Sequence, residues 1–137
     1  EGCAPIVKAF RDGATSAPLF PNAATIAAGL RVPAAVGDFI MLDILRRSQG
    51  TARTVTDAEL MQGVHELAQW QGIHAAPEGG AIWMAARQLK DEGWIRHDET
   101  VLLFNTGAAV KYNHLLKTDG ITRLDHKAAD VLDHVRG

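Results

Sequence analysis

Two residues that could bind a ligand, Thr106 and Gly107, follow Asn105 at the end of an apolar run over residues 100–104. The Thr106 hydroxyl can donate or accept a hydrogen bond. Gly107 allows a sharp turn and lets a flat ligand approach the backbone. In open α/β sheets, ligands bind beyond the carboxyl ends of the strands, so this position is typical of a binding site. The alternative is a strand that ends in an ordinary Asn-Thr-Gly turn.

Other reactive residues have simpler interpretations. His126, Asp130 and His134 are spaced to share one face of a helix and could ligate zinc, but the charges around them are typical of a solvated face. Cys3 could be a nucleophile only beside a base, and we interpret it as a small buried side chain. Glu78 either faces a pocket or is a first-turn residue favoured by the helix dipole.

The composition narrows the class of protein. With 137 residues, of which 47% are hydrophobic, the chain can bury a sizeable core as one globular domain. A net charge of −2 argues against nucleic-acid binding through a basic face. Charges interrupt every apolar stretch well short of a membrane span, so we expect no membrane partner. The single cysteine rules out an intrachain disulfide, and we expect a cytoplasmic location.

The elements that must position Thr106 alternate between helices and short strands, which predicts an α/β fold with a mostly parallel sheet. Thr56 and Glu59 form a capping box, and Gly72 is a helix stop. The run over residues 100–104 lacks polar alternation, which predicts a strand buried on both faces. The predicted strands are residues 51–55, 73–76 and 100–104. The predicted helices are residues 38–49, 57–71, 81–92 and 121–136, with a turn over residues 77–80.

Four motifs occur in order: EGCAPIVKAF, TIAAGLRVP, PEGGAIWMAARQLKDEG and NTGAAVKY. Together they resemble the C-terminal part of the threonine synthase family, whose members are fold-type-II enzymes that use pyridoxal 5′-phosphate. The resemblance implies that residues 1–115 are part of the large three-layer αβα domain and that residues 116–137 are a helical tail. Because the sequence opens on Glu1 in the middle of a motif, we expect a missing N-terminal half.

The resemblance also implies roles for individual residues. Thr106 would place its hydroxyl against the pyridine nitrogen of the cofactor. Asn105 and Gly107 would shape the ring's edge of the pocket, and Glu78 would border the ring. The family's second glycine after this turn is replaced by Ala109, which leaves the backbone path after Gly107 open.

Some parts of such an enzyme are absent from this sequence. None of its lysines lies in the Ser-Phe-Lys-Asp type of context that carries the Schiff base; they are Lys8, Lys90, Lys111, Lys117 and Lys127. We therefore expect the catalytic lysine and the glycine-rich phosphate loop to lie outside this chain. Relatives with a cation site pair a glutamate like Glu1 with an aspartate at the position of Ala28, so we predict no metal.

The function implied for the intact protein is conversion of O-phospho-L-homoserine and water to L-threonine and phosphate. Its partners would be this phosphorylated amino acid and the N-terminal half of the enzyme. One alternative is a sibling lyase or a threonine or serine dehydratase with the same cofactor. Another is a non-enzymatic α/β module that binds a protein, which predicts no pocket at Thr106 and no free sheet edge. A fragment instead predicts exposed apolar surface where the missing half would dock.

We predict that the 137-residue chain alone is catalytically inactive, because it lacks the Schiff-base lysine. One equivalent of pyridoxal phosphate should produce no protein-bound absorbance band, and no phosphate should be released from O-phospho-L-homoserine. An absorbance titration and a phosphate assay measure both. A stoichiometric cofactor band would contradict the prediction and would point to one of the five lysines present.

Overall fold

The computed structural model describes residues 1–115, which form four α-helices and two 3-10 helices. The α-helices are α1 (Pro5–Arg11), α2 (Asp38–Arg47), α3 (Asp57–Gln71) and α4 (Pro77–Asp91). The 3-10 helices are Ala28–Leu30 and Ala109–Leu115. The predicted helix over residues 121–136 lies outside the described residues, as does the whole proposed tail.

Helix α3 has the predicted ends. The Glu59 N–H donates to the Thr56 hydroxyl at 3.2 Å, and the Thr56 N–H donates to the Glu59 carboxylate at 2.6 Å. This is the predicted capping box, which satisfies backbone groups that a helix end leaves unpaired. At the other end Gly72 has φ 65°, a left-handed conformation that glycine adopts without steric cost.

The other two long helices depart from the prediction at their ends. Helix α2 ends at Arg47, and Gln49 rather than Gly50 adopts the left-handed conformation, with φ 54°. The predicted turn over residues 77–80 is wrong, because α4 already begins at Pro77. Proline is favoured in the first helical turn, where its missing N–H costs no hydrogen bond.

Helices α3 and α4 pack with their backbones in direct contact. A Cβ atom added at Gly80 would lie 2.1 Å from the Leu60 carbonyl oxygen, and one added at Gly63 would lie 2.5 Å from the Gly80 carbonyl oxygen. Glycine at these positions is therefore what allows the two helices to approach so closely. The core beside this contact consists of Ala27, Val55, Leu60, Ala81 and Met84.

A carboxylate on α3 holds the outer faces of the same two helices together. Glu66 accepts hydrogen bonds from the Trp83 indole N–H at 2.8 Å and from the Arg87 guanidinium at 2.6 Å. Gln62, one turn earlier on α3, donates to it as well. These bonds from Trp83, Arg87 and Gln62 lower the pKa of Glu66 from 4.5 to about 2. Trp83 also meets Trp70 edge to face, as expected for tryptophans used in packing.

The predicted parallel sheet is not found among residues 1–115. The β pairing there is a single antiparallel bridge between Ala75 and Ala108. The prediction of a buried strand over residues 100–104 is wrong, since Leu102 is 77% exposed and Phe104 is 71% exposed. A strand needs neighbours that accept and donate its backbone hydrogen bonds, and no segment of the described part provides them to this run.

Apolar side chains are also exposed on α2 and in the loop before it, including Phe39, Ile44 and Val36. A contiguous exposed apolar surface is typical of a contact with another protein surface. Within residues 1–115, no helix is both long enough and apolar enough to cross a membrane.

The contact between α3 and α4 predicts that Gly80→Ala destabilises the protein. The new methyl group would meet backbone atoms, which cannot rotate away, so we expect a loss of about 2–3 kcal/mol in the free energy of unfolding. Gly37→Ala is the control, because a Cβ atom there meets nothing within 4 Å, and its cost at a helix N-cap should stay below about 1 kcal/mol. Urea unfolding measures both variants. Equal losses would contradict the importance of the helix contact.

The lowered pKa of Glu66 predicts a stability that depends on pH. Because the folded-state value of about 2 lies below the ordinary 4.5, the ionised side chain stabilises the fold above about pH 4.5, and this contribution is lost as the pH falls toward 2. Glu66→Gln should therefore destabilise the protein at pH 7 and less so near pH 3. Urea unfolding at both pH values measures the difference.

The control for this experiment is Asp43→Asn, which removes an exposed ion pair with Arg47 and should change stability little at either pH. The same loss for Glu66→Gln at both pH values would show that its ionisation does not stabilise the fold.

Candidate functional site

A cavity of about 700 Å³ lies between the first turn of α4 and the segment that follows residue 104. Its wall includes two of the predicted site residues on that segment, Thr106 and Gly107, and a third, Glu78, on α4. The N-terminal segment, the TIAAGLRVP loop and residues 53–55 also contribute to the lining. The sequence therefore places three predicted site residues on two elements, and the fold brings them to one cavity.

The turn that contains Thr106 and Gly107 is held to the segment before α4 by backbone hydrogen bonds. The Ala76 N–H donates to the Gly107 carbonyl, and the Ala109 N–H donates to the His74 carbonyl, each at 3.0 Å. These two bonds flank the Ala75–Ala108 bridge. The turn is thus fixed to the segment before α4. The described residues form no strand around this bridge.

The local packing at this turn leaves Thr106 at the cavity wall. A Cβ atom added at Gly107 would lie 3.2 Å from the Ala76 Cβ, so the glycine permits a close approach of the two segments. The Thr106 side chain is exposed and lines the cavity. Within residues 1–115 its hydroxyl hydrogen-bonds no other side chain, which leaves it able to donate to a ligand.

Asn105 occupies a different place from the one its sequence position implied. Its side-chain oxygen lies over α4, where a Cβ atom added at Gly79 would be 2.5 Å away. Asn105 does not belong to the cavity lining within the described residues. Its proposed contact with the edge of a ligand ring stays a prediction, and the structure gives it a packing contact with the helix.

Glu78 lies in the first turn of α4, and one oxygen of its carboxylate accepts two hydrogen bonds. The Gly29 N–H donates to Oε1 at 2.8 Å, and the Tyr112 hydroxyl donates to the same atom at 2.7 Å. Partial burial raises the pKa of Glu78, but the bonds from Tyr112 and Gly29 and the charge of Lys111 outweigh it, so the pKa falls below its usual value. The carboxylate is therefore ionised at neutral pH.

The sequence did not single out Gly29 or Tyr112 as site residues. The hydrogen bond to Glu78 raises the pKa of the Tyr112 hydroxyl, so the proton of this pair stays on the tyrosine. Both residues lie inside motifs that define the resemblance, TIAAGLRVP and NTGAAVKY. Their occurrence in these motifs was the available signal, but nothing in either motif shows that they meet at Glu78.

Several other polar or reactive residues also line this cavity. Cys3 and Lys111 line it, and Arg53 lines it while forming an ion pair with Glu92. Among residues 1–115, no three His, Cys, Asp or Glu side chains are grouped closely enough to hold a metal ion. The possible zinc ligands His126, Asp130 and His134 lie outside the described residues.

Comparison with known proteins identifies the protein family of this chain. Residues 1–107 match the family model described as pyridoxal-phosphate dependent enzyme, and the chain belongs to that family. The match includes Thr106 and Gly107 and ends there. Membership implies the α/β fold of fold type II, whereas the described residues provide helices and a single β bridge.

Within this class, the similar curated proteins are threonine synthases. The chain is 38% identical over 117 residues, 85% of its length, to threonine synthase from Methanosarcina acetivorans. It is 33% identical over 111 residues, 81% of its length, to threonine synthase from Methanocaldococcus jannaschii. These matches span 27% of the length of each relative. The resemblance to the threonine synthase family is confirmed.

The residues present fit one part of a pyridoxal phosphate site. Thr106 offers a hydroxyl with no side-chain partner among the described residues, and Gly107 brings the backbone close to Ala76 at the cavity wall. A hydroxyl donor is a suitable partner for a pyridine nitrogen. The residues at this part of the cavity wall are therefore chemically compatible with such a partner.

Proposed function

We propose that this chain is the C-terminal portion of a threonine-synthase-like enzyme. The intact enzyme would convert O-phospho-L-homoserine and water to L-threonine and phosphate. The single observation that carries this proposal is the Thr106–Gly107 turn, which lines a cavity in a chain of the pyridoxal-phosphate-dependent family. The names of the two similar proteins support the choice of reaction.

In this proposal, pyridoxal phosphate supplies an electron sink for the carbanion chemistry that elimination and replacement require. Thr106 would hold the ring nitrogen by donating its hydroxyl proton in a hydrogen bond. Such a neutral partner leaves the nitrogen largely unprotonated, whereas a carboxylate would favour protonation. Gly107 would allow the ring to lie close to the backbone, and Glu78 would shape the neighbouring wall.

The rest of the active site would come from parts of the enzyme outside this chain. The proposed Schiff-base lysine, the phosphate-binding loop and the residues that recognise the substrate phosphate would all lie there. The exposed apolar side chains of Leu102 and Phe104 support a contact with such a part, because an isolated domain rarely leaves large apolar groups uncovered. The coverage of 27% of each relative is compatible with this arrangement.

One observation disfavours the alternative of a non-enzymatic interaction module. This alternative predicts no pocket at Thr106, but Thr106 lines a cavity of about 700 Å³. A sibling dehydratase would share the cofactor site, and substrate assays of the intact protein separate it from a threonine synthase.

The role of Thr106 predicts that Thr106→Val weakens cofactor binding in the intact protein. Valine has nearly the same shape but no hydroxyl, so the ring nitrogen would lose its partner and the affinity for pyridoxal phosphate should fall roughly tenfold or more. Thr106→Ser keeps the hydroxyl and is the matched control. Titration of the apoprotein, followed by cofactor fluorescence, gives both affinities, and a phosphate-release assay gives the activity.

Equal cofactor affinity in Thr106→Val and the unmodified protein would refute the assigned role of Thr106. Release of a 2-oxo acid from threonine or serine, with no phosphate release from O-phospho-L-homoserine, would instead support the dehydratase alternative.

A further inference from the structure

Three segments that are distant in the sequence meet at the Glu78 carboxylate. Gly29 is 49 residues before Glu78 and donates its backbone N–H, while Tyr112 is 34 residues after it and donates its hydroxyl. Gly29 belongs to the 3-10 helix Ala28–Leu30, and Tyr112 belongs to the 3-10 helix Ala109–Leu115. All three residues line the cavity that contains Thr106.

The contact with Gly29 is closer than most residues would permit. A Cβ atom added at Gly29 would lie 2.7 Å from Glu78 Oε1, so a larger residue there would push the carboxylate aside. Both donors share the one oxygen, and a bond to an ionised acceptor is stronger than one between neutral groups. The arrangement therefore depends on a glycine, a carboxylate and a phenol together.

The loop that carries Gly29 has a second attachment of the same kind. The Thr25 hydroxyl and the Ile26 N–H donate to the Asp57 carboxylate at 2.5 and 3.1 Å, in the first turn of α3. Asp57, in the first turn of α3, thus holds the start of this loop at Thr25 and Ile26. Glu78, in the first turn of α4, holds the loop at Gly29. Since α3 and α4 are packed together, both attachments start from one rigid unit.

The segment that carries Thr106 is held in a similar way. On one side, the Gly107 and Ala109 backbones are bonded to residues 74–76. On the other side, the Tyr112 hydroxyl is bonded to Glu78. The Thr106 turn therefore belongs to a short segment that is fixed at both the bridge and the tyrosine.

We propose that Glu78 is a positioning residue, whose carboxylate clasps Tyr112 and Gly29 and so holds the Thr106 turn and the TIAAGLRVP loop in place around the cavity. This inference rests on the proposed function for the identity of the ligand. Glu78 would act on the cofactor through Tyr112 and Thr106, because the oxygen that receives both hydrogen bonds is already occupied. Precise support of a binding group by its neighbours is what such a site requires.

The test compares Tyr112→Phe and Glu78→Gln in the intact protein, with Asp98→Asn as a control for loss of an exposed carboxylate. Amide hydrogen exchange is measured for Gly29 and for residues 105–112. We expect roughly tenfold faster exchange of Gly29 in Glu78→Gln and of the Thr106 segment in both variants. The control should exchange like the unmodified protein at these positions.

A second readout reports the clasp itself, which is the pair of hydrogen bonds from Tyr112 and Gly29 to Glu78. Carbon-13 labelling of tyrosine allows the ionisation of Tyr112 to be followed by NMR, with Tyr112→Phe identifying its signal. The raised pKa of Tyr112 should fall toward its ordinary value of 10.0 in Glu78→Gln, because the ionised acceptor is gone. A residue that only fills space would leave this titration unchanged.

The affinity for pyridoxal phosphate provides the third readout. Tyr112→Phe and Glu78→Gln should each weaken it roughly fivefold. The double variant should be no weaker than the worse single one, because one change removes and the other weakens the same hydrogen bond. The midpoint of urea unfolding should stay close to that of the control, which separates positioning from loss of the fold.

The outcomes separate this inference from the proposed function. If Thr106→Val weakens cofactor binding while Tyr112→Phe changes neither exchange nor affinity, the clasp is wrong and the function stands. If Thr106→Val leaves binding unchanged and the intact protein releases no phosphate from O-phospho-L-homoserine, the proposed function is contradicted. Faster exchange and a shifted Tyr112 titration would still support the clasp, since neither readout needs the cofactor. Unchanged exchange and titration in Glu78→Gln overturn the clasp in every case.

Discussion

The direct backbone contact between α3 and α4 is the constraint on which the described structure depends. Gly63 and Gly80 let the helices approach until a single added methyl group would overlap the carbonyl oxygen of the facing helix. This contact sets the position of the start of α4 and therefore of Glu78. The bridge to the Thr106 turn begins at the residues just before the same helix. Packing between two helices thus determines the shape of a cavity wall.

Three carboxylates strengthen the contact between α3 and α4 or attach the neighbouring loop to it. Glu66 joins the outer faces of α3 and α4, while Asp57 and Glu78, each in a helix's first turn, hold the TIAAGLRVP loop. Negative charge in the first turn is favoured by the helix dipole, so these two positions combine local stability with a long-range contact. Irregular segments around the cavity are thereby held without a sheet. The cost is that each attachment depends on an ionised side chain.

The described residues form one wall of the proposed cofactor site. In the proposed function, Thr106 and Gly107 would lie at the nitrogen edge of the ring, while the lysine and the phosphate loop would come from outside this chain. The apolar run over residues 100–104 is exposed and forms no strand. A strand needs a neighbouring segment that pairs with its backbone, and the described residues provide none for this run.

Much of the helical structure was determined by the sequence itself. The capping box of Thr56 and Glu59 and the stop at Gly72 involve residues within one turn of each other, so local rules predict them. Thr106, Gly107 and Glu78 could likewise be chosen as site candidates from their types and from the resemblance. The tertiary structure decided the rest: that Asn105 lies over Gly79, and that Gly29 and Tyr112 meet at Glu78. These features depend on contacts between residues tens of positions apart, and local patterns in a sequence carry no information about which distant groups will share an oxygen atom.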